Sequence, residues 1–178
     1  RGEIGGGGPL VTPGYFETMR IPLVRGRSLD GRDTQQTEKV AWINRTAAEA
    51  LFAGEDPLGH QVVLGGQQGA ARTIVGIVGD VRHNSLDQPP GPQVYVPHAQ
   101  WAWAETQMTL VVRTDGDPGM LAATAREAVR EVDAAQPVTT IENPKSAEGL
   151  NVGPVVFLAD GPVDPADEWL NVLLPIRP

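Results

Sequence analysis

Residues 73–82 read Thr-Ile-Val-Gly-Ile-Val-Gly-Asp-Val-Arg, and this stretch decides the fold. Its β-branched residues are nearly continuous, as is typical of a strand that is covered on both faces. Gly76 and Gly79 interrupt the run, and a glycine inside a strand indicates a bulge or the close approach of another backbone. We therefore predict a central buried strand over 73–82, with Gly76 and Gly79 as positions of close packing and Asp80 at its end.

On the N-terminal side of this strand, residues 39–43 (Lys-Val-Ala-Trp-Ile) predict another strand, which runs directly into a short helix. Asn44 is placed to cap that helix, and Thr46 with Glu49 matches the capping-box pattern. A further strand is predicted at 61–64, so this part of the chain indicates a strand–helix–strand unit.

A similar unit is expected on the C-terminal side. Residues 107–113 alternate in polarity as a strand does, and 138–141 predict its successor. Between them Asp117 is placed to cap a helix whose first turn holds Pro118. One helix face carries the apolar residues Leu121, Ala125, Ala128, Val129 and Val132. The two units together indicate an α+β fold with a mixed β-sheet and βαβ units.

Before these units, residues 12–19 predict a short helix. Thr12 is placed to cap it, Pro13 suits its first position, and Gly14 follows at the helix start. Residues 1–9 contain a run of four glycines and are expected to form a flexible N-terminus.

Residues 143–178 are interrupted throughout by Gly and Pro, so we expect an irregular tail. Only 155–158 and 169–174 have the composition of short edge strands. The predicted organisation is thus a flexible segment over 1–9, a domain over 10–142 and a tail over 143–178.

The composition restricts the class of protein. The chain has 178 residues, 40% of them hydrophobic, a net charge of -8 and no Cys. This apolar content excludes a chain that is disordered throughout, and the lack of Cys excludes a disulfide framework. The acidic balance argues against nucleic acid, which is bound largely through Lys and Arg. No apolar run approaches the ~18 residues that span a bilayer, so we expect the chain itself to be soluble.

No pattern of residues predicts catalysis, a metal site or a cofactor. His60, His83 and His98 form no paired histidine motif, and no serine lies in a nucleophile-elbow motif. Asp80 and His83 follow a buried strand closely, which is a common place for active-site groups, so a hydrolase that uses these two residues is one alternative. We favour a structural role, in which Asp80 satisfies backbone N–H groups or pairs with Arg82.

A second alternative is a stand-alone module that binds a small molecule or a metal ion. The acidic residues of 160–168 and the pair Trp101 and Trp103 motivate it. The prolines among the acidic residues favour a solvated loop over a calcium site, because calcium loops need regularly spaced oxygen ligands.

The order of several segments resembles a known family. Residues 12–19 (TPGYFETM) and 21–27 (IPLVRGR) resemble the opening block of the MacB-like periplasmic core domain, which is found in ABC transporter permeases of the MacB/FtsX type. Further segments follow in the family's order: 40–44, 51–59, 73–83, 93–97, 108–114, 117–118 and 136–138. The resemblance covers about residues 10–142, and we expect the chain to be part of a longer permease.

The resemblance implies a periplasmic core-domain fold on the extracytoplasmic side of the inner membrane. It also implies a role in coupling and partner contact, with no catalysis, cofactor or metal of the domain's own. The implied partners are the transmembrane helices of a permease and, through them, a cytosolic ABC ATPase. A periplasmic protein is a further candidate partner, and nucleic acid is not expected as a partner. The residues expected to form the structural signature are Pro13, Gly14, Asn44, Gly76, Gly79 and Asp80.

Overall fold

A computed structural model of the chain describes residues 9–64, 69–81, 89–101, 107–114, 118–135, 138, 140–142, 155–159 and 168–175. The chain divides into two compact units, 1–102 and 103–178. This division differs from the boundaries predicted from the sequence, which remain predictions. Each unit is described separately below.

The sheet of the first unit is built around β5 (Ala71–Val78). On one side β5 pairs in parallel with β3 (Val40–Asn44), and on the other it pairs antiparallel with β2 (Leu23–Gly26) and β4 (Gln61–Val63). The next strand after β3 is β6 (Val94–Pro97), which runs antiparallel to it. The short β1 (Leu10–Val11) then pairs in parallel with β6. The predicted central strand therefore has neighbours along both edges.

The helix α2 (Arg45–Phe52) follows β3 without an intervening loop. It belongs to the connection that leads from β3 through β4 to β5, and β3 and β5 are parallel. Parallel neighbours need such a crossover, and a helix usually supplies it. The mixed sheet with its helical connections confirms the predicted α+β class.

The first helix differs from the prediction. α1 is only Tyr15–Thr18, and its N-cap is Gly14, whose φ is 88°. No side chain caps it, so the predicted cap by Thr12 is wrong; the backbone carbonyl of Thr12 instead accepts a hydrogen bond from the Tyr15 N–H. The physical reason is the left-handed backbone at Gly14, which turns the chain into the helix after Pro13 and favours glycine.

Both faces of this sheet are covered by apolar side chains. One cluster consists of Leu10, Ala41, Ile43, Ala47, Val62, Leu64, Ile74, Ile77, Val94 and Val96. On the opposite face, Trp42 and Tyr95 lie against Tyr15 and Phe16 of α1. The ring centroid of Phe16 is 5.3 Å from that of Tyr95 and 6.1 Å from that of Trp42. Alternation along β3 produces this arrangement, because Ala41 and Ile43 point to one face and Trp42 points to the other.

In the second unit, β7 (Gln107–Thr114) pairs in parallel with β9 (Val155–Ala159) and antiparallel with β10 (Glu168–Pro175). β8 (Thr140–Glu142) pairs antiparallel with β10. β7 and β8 are therefore parallel to each other, with β10 between them. A 3₁₀ turn (Pro118–Leu121) and α3 (Ala122–Val132) form the connection from β7 to β8.

The helix α3 is less buried than its apolar stripe predicts. Leu121 and Ala125 pack against Leu110 of β7, but Val132 is 90% exposed and Ala128 is also exposed. The apolar stripe thus contacts the sheet only along its N-terminal part. The predicted cap, Asp117, lies outside the described residues.

The segment predicted to be an irregular tail contains β9 and β10. Short strands were expected at 155–158 and 169–174, and strands are present at both places. However, β10 is not the edge strand that was expected, since it lies between β7 and β8. The physical reason is that pairing with β7 determines these strands, and a local count of Gly and Pro carries no information on pairing.

Truncation after Glu142 tests this correction. It removes β9 and β10 and so leaves β7 without either of these partners, and we expect the amide protons of β7 to lose protection from hydrogen exchange. Amides of β5 serve as an internal control in the first unit. Unchanged protection along β7 would show that the C-terminal strands do not support it.

Candidate functional site

The residues expected to form the structural signature lie in two places. Pro13 and Gly14 precede α1, whereas Asn44, Gly76, Gly79 and Asp80 lie along β3, β5 and the chain that leaves β5. We call the second place the α2 start: the region where the parallel strands β3 and β5 end and α2 begins. In α/β sheets, the carboxyl ends of parallel strands are common places for functional groups.

Asn44 organises the α2 start through its side chain. Its Oδ1 accepts hydrogen bonds from the backbone N–H groups of Ala47, at 2.9 Å, and of Gln93, at 2.8 Å. Its Nδ2 donates to the carbonyl of Gly91 at 2.9 Å. The residue is fully buried. Asn44 thus caps α2 and also ties it to the segment that enters β6.

Asp80 supplies a second cap from the end of β5. Its Oδ1 accepts a hydrogen bond from the backbone N–H of Thr46 at 2.9 Å. The first N–H groups of a helix have no partner within the helix, so side-chain acceptors stabilise them. Asn44 and Asp80 therefore satisfy neighbouring N–H groups of α2 from two different strands. Of the two structural roles expected for Asp80, this is the bond to a backbone N–H group; the other expected partner, Arg82, lies outside the described residues.

Gly76 makes room for the indole of Trp42. A Cβ on residue 76 would lie 2.5 Å from Nε1 of Trp42 and 2.8 Å from the carbonyl oxygen of Arg27. That Nε1 donates to the same carbonyl oxygen at 2.6 Å. The absence of a side chain at Gly76 thus lets a buried indole reach a backbone acceptor on the chain after β2.

Arg27 completes this arrangement. Its guanidinium lies over the Trp42 ring, 5.5 Å from the centroid, and binds both carboxylate oxygens of Asp33, at 2.9 and 2.5 Å. Hydrogen bonding of the Arg27 guanidinium to the Asp33 carboxylate, which accepts, raises the pKa of Arg27. Asp33 is buried, and the sequence contained no pattern that identifies it.

Gly79 and Gly26 are two further positions of close approach. The Gly79 N–H donates to the carbonyl of Pro22 at 2.8 Å, and a Cβ on Gly79 would lie 2.8 Å from Cδ of Pro22. Gly26 has a φ of 84°, and a Cβ there would lie against the carbonyl of Val75.

A buried polar pair, Arg72 and Gln100, lies at the opposite end of β3 and was not predicted. Arg72 is 3% exposed and Gln100 is 2% exposed. Burial lowers the pKa of Arg72. Isolated Arg and Gln residues in strands and turns are common, so the sequence offered no sign that these two residues meet.

The residues behind the two alternative functions lie mostly outside the described part of the chain. This holds for His83, Trp103 and residues 160–167. Among the residues that the structure does describe, no group of three or more His, Cys, Asp and Glu side chains is placed to hold a metal ion. At the α2 start, the side chains of Asn44 and Asp80 form hydrogen bonds with backbone groups.

Comparison with known proteins identifies the family of the chain. The family model described as the MacB-like periplasmic core domain matches residues 2–149. The chain belongs to this family. The resemblance stated from the sequence is thereby confirmed, and the family places the domain among those of MacB/FtsX-type ABC transporter permeases.

One curated relative is the macrolide export ATP-binding/permease protein MacB of Aggregatibacter actinomycetemcomitans. It is 32% identical over 66 residues, which cover 37% of this chain and 10% of the relative. The matched part of this MacB-like chain thus spans about a tenth of that protein's length.

Solved structures with a similar fold include the periplasmic region of MacB from Actinobacillus actinomycetemcomitans. It is 20% identical with a TM-score of 0.47, and the match covers 68% of this chain and 54% of that one. The extracellular domain of the ABC-type transporter YknZ from Gram-positive bacteria is 24% identical, with a TM-score of 0.38 and coverage of 49% and 40%. A domain of a putative permease protein from Porphyromonas gingivalis is 15% identical, with a TM-score of 0.37 and coverage of 94% and 49%.

In the described part of this MacB-like chain, no helix is both long and apolar enough to cross a membrane.

Replacement of Asp80 tests the second cap of α2. We expect Asp80→Ala to lower the free energy of unfolding by about 1 kcal/mol, because the Thr46 N–H loses its acceptor. Urea unfolding measures this change, and the exchange rate of the Thr46 amide reports it locally. Asp80→Asn keeps an acceptor oxygen and is the matched control. Equal stability of the alanine variant and the wild type would refute the role of Asp80 as a cap.

Replacement of Gly76 tests the packing of Trp42. Gly76→Ala places a methyl group against the buried indole, and overpacking of this kind costs about 1–3 kcal/mol. Gly31→Ala is the matched control, because a Cβ there meets no atom within 4 Å. Urea unfolding of both variants decides the point. The packing argument fails if the two variants are equally stable.

Proposed function

We propose that the chain is the extracytoplasmic core domain of a MacB/FtsX-type permease, with a role in coupling and partner contact and no catalysis of its own. The observation that carries the proposal is the match of the family model over residues 2–149. A match of this extent covers both the α2 start and α3, and so includes most of the described residues of each unit.

The proposed partners are the transmembrane helices of the permease and, through them, a cytosolic ABC ATPase. The name of the curated relative supports this proposal, since that protein is an ATP-binding/permease protein. Movement of the transmembrane helices driven by ATP hydrolysis would then pass to the domain, and a periplasmic partner protein would contact it on the extracytoplasmic side.

The use of polar groups at the α2 start supports a role without catalysis. Both polar atoms of the Asn44 side chain are bound to backbone groups, and one oxygen of Asp80 caps the same helix. A general acid or base must instead reach the substrate's proton directly or through one water. The arrangement suits a rigid connection between two strands and a helix, as a domain that transmits motion requires.

The location and partners are tested in cells that encode the chain. Intact spheroplasts are treated with protease and probed with an antibody against these 178 residues. We expect the epitope to be digested while a cytosolic marker protein stays intact. Immunoprecipitation from detergent-solubilised membranes is expected to recover an ABC ATPase. Protection of the epitope in spheroplasts, or recovery without an ATPase, would contradict the proposal.

Coupling is tested in the purified permease complex reconstituted into vesicles. We expect Asp80→Ala to lower the amount of substrate moved per ATP hydrolysed, because α2 is less firmly tied to β5. The rate of ATP hydrolysis should stay within about twofold, since the variant lies outside the ATPase. Asp80→Asn keeps the cap and serves as the control. A ratio unchanged in the alanine variant would argue against a coupling role for the α2 start.

A further inference from the structure

The turn that follows β6 is attached to the sheet mainly by polar side chains. It comprises the 3₁₀ turn His98–Gln100 and Trp101, and we call it the Gln100 turn. Nε2 of Gln100 donates to the carbonyl of Glu38 at 2.8 Å and to Oγ1 of Thr37 at 3.3 Å. Its Oε1 accepts from the backbone N–H of Val40 at 2.9 Å. The side-chain amide of Gln100 thus forms hydrogen bonds with backbone groups at the start of β3, as a neighbouring strand would.

Arg72 fastens the same turn from β5. Its Nη2 donates to the carbonyl of Gln100 at 3.1 Å, and its Nη1 lies 3.3 Å from Oε1 of Gln100 and 3.4 Å from the carbonyl of Val40. The guanidinium also lies 5.9 Å from the centre of the Trp101 ring. Among the described residues, these hydrogen-bond acceptors are all neutral oxygens. The buried positive charge of Arg72 is therefore balanced by dipoles and by a ring, with no carboxylate in its hydrogen bonds.

The contributions to the stability of the Gln100 turn differ from those that stabilise the apolar core. Burial of a guanidinium costs several kcal/mol, which dipoles repay only in part. The apolar burial of the turn comes from Trp101, which is partly buried against the apolar cluster of the sheet, whereas His98 is only half-buried and Ala99 is exposed. Release of the turn would return the charge of Arg72 to water and would withdraw the partly buried Trp101 from one apolar cluster, while the buried members of both clusters stay in contact. Opening of the turn therefore costs much less free energy than unfolding of the sheet.

We propose that the Gln100 turn is a latch, which Arg72 and Gln100 hold closed over the end of β3 and which opens as a unit while the sheet remains folded. The latch is the last described segment of the first unit, which ends at residue 102. Its opening frees the chain at the point where it leaves that unit. The inference is independent of the proposed function, because it depends only on the contacts and burial of the first unit.

Three backbone amides distinguish opening of the latch from fraying of the strands. The Val40 N–H is bound to the Gln100 side chain and reports the latch itself. At the same end of β3, the Thr73 N–H donates to the carbonyl of Lys39 at 2.8 Å and reports the pairing of β3 with β5. The Val96 N–H donates to the carbonyl of Pro9 at 3.1 Å and reports the pairing of β6.

Hydrogen exchange of the full chain, followed by NMR, tests the proposal. We expect the protection factor of the Val40 amide to be at least about tenfold lower than those of Thr73 and Val96. Protection of Val40 equal to that of Thr73 would overturn the proposal, because the latch would then open only when the strands separate.

A pair of arginine variants tests what holds the latch closed. Arg72→Met keeps a long side chain beside Trp101 but removes the donors to Gln100. We therefore expect the protection factor of the Val40 amide to be at least about threefold lower than in the wild type. The protection factors of Thr73 and Val96 should stay within about twofold of the wild-type values. Arg25→Met is the matched control, because Arg25 is exposed and pairs with Asp56. An Arg72→Met variant with an unchanged ratio of Val40 to Thr73 protection would exclude Arg72 from the latch.

Discussion

The indole of Trp42 lies where a side chain on residue 76 would otherwise be, and the rest of the first unit depends on this close approach. The indole reaches the carbonyl of Arg27, and the same arginine lies over the ring and binds the buried Asp33. β2, β3 and β5 are thereby joined by one buried side chain. Because interiors are packed about as densely as organic crystals, even one methyl group at Gly76 would force β3 or the chain after β2 to move.

Different kinds of side chain hold the neighbouring elements at the two ends of β3. At its carboxyl end, Asn44 and Asp80 hold α2 through short hydrogen bonds to backbone N–H groups, and Asn44 is fully buried. At its amino end, Gln100 and Arg72 hold a turn whose contact with the apolar core is made by the partly buried Trp101. The first arrangement suits the rigid element of a domain that transmits motion in a permease. The second suits an element that opens on its own, because its closed state retains a desolvated charge.

Much of the fold could be predicted because its determinants are local. The β-branched run that becomes β5, the position of Asn44 before α2, and the glycines at close approaches are all visible in short windows of sequence. The failures have physical reasons. Thr12 lost the role of cap to the left-handed backbone of Gly14. The periodic apolar face that includes Val132 shows what a helix can cover, and only tertiary structure shows what lies beneath it.

By itself, the sequence determined the α+β class, the order along the chain of the elements before and after β5, and membership of the MacB-like periplasmic core domain family. These follow from local propensity and from the order of segments along the chain. Tertiary structure alone decided which groups meet: Trp42 with Gly76, Asp80 with the start of α2, and Arg72 with Gln100. It also decided that 155–159 and 168–175 pair with β7. Such contacts join residues far apart in the chain, so neither composition nor periodicity encodes them in a form that a single sequence reveals.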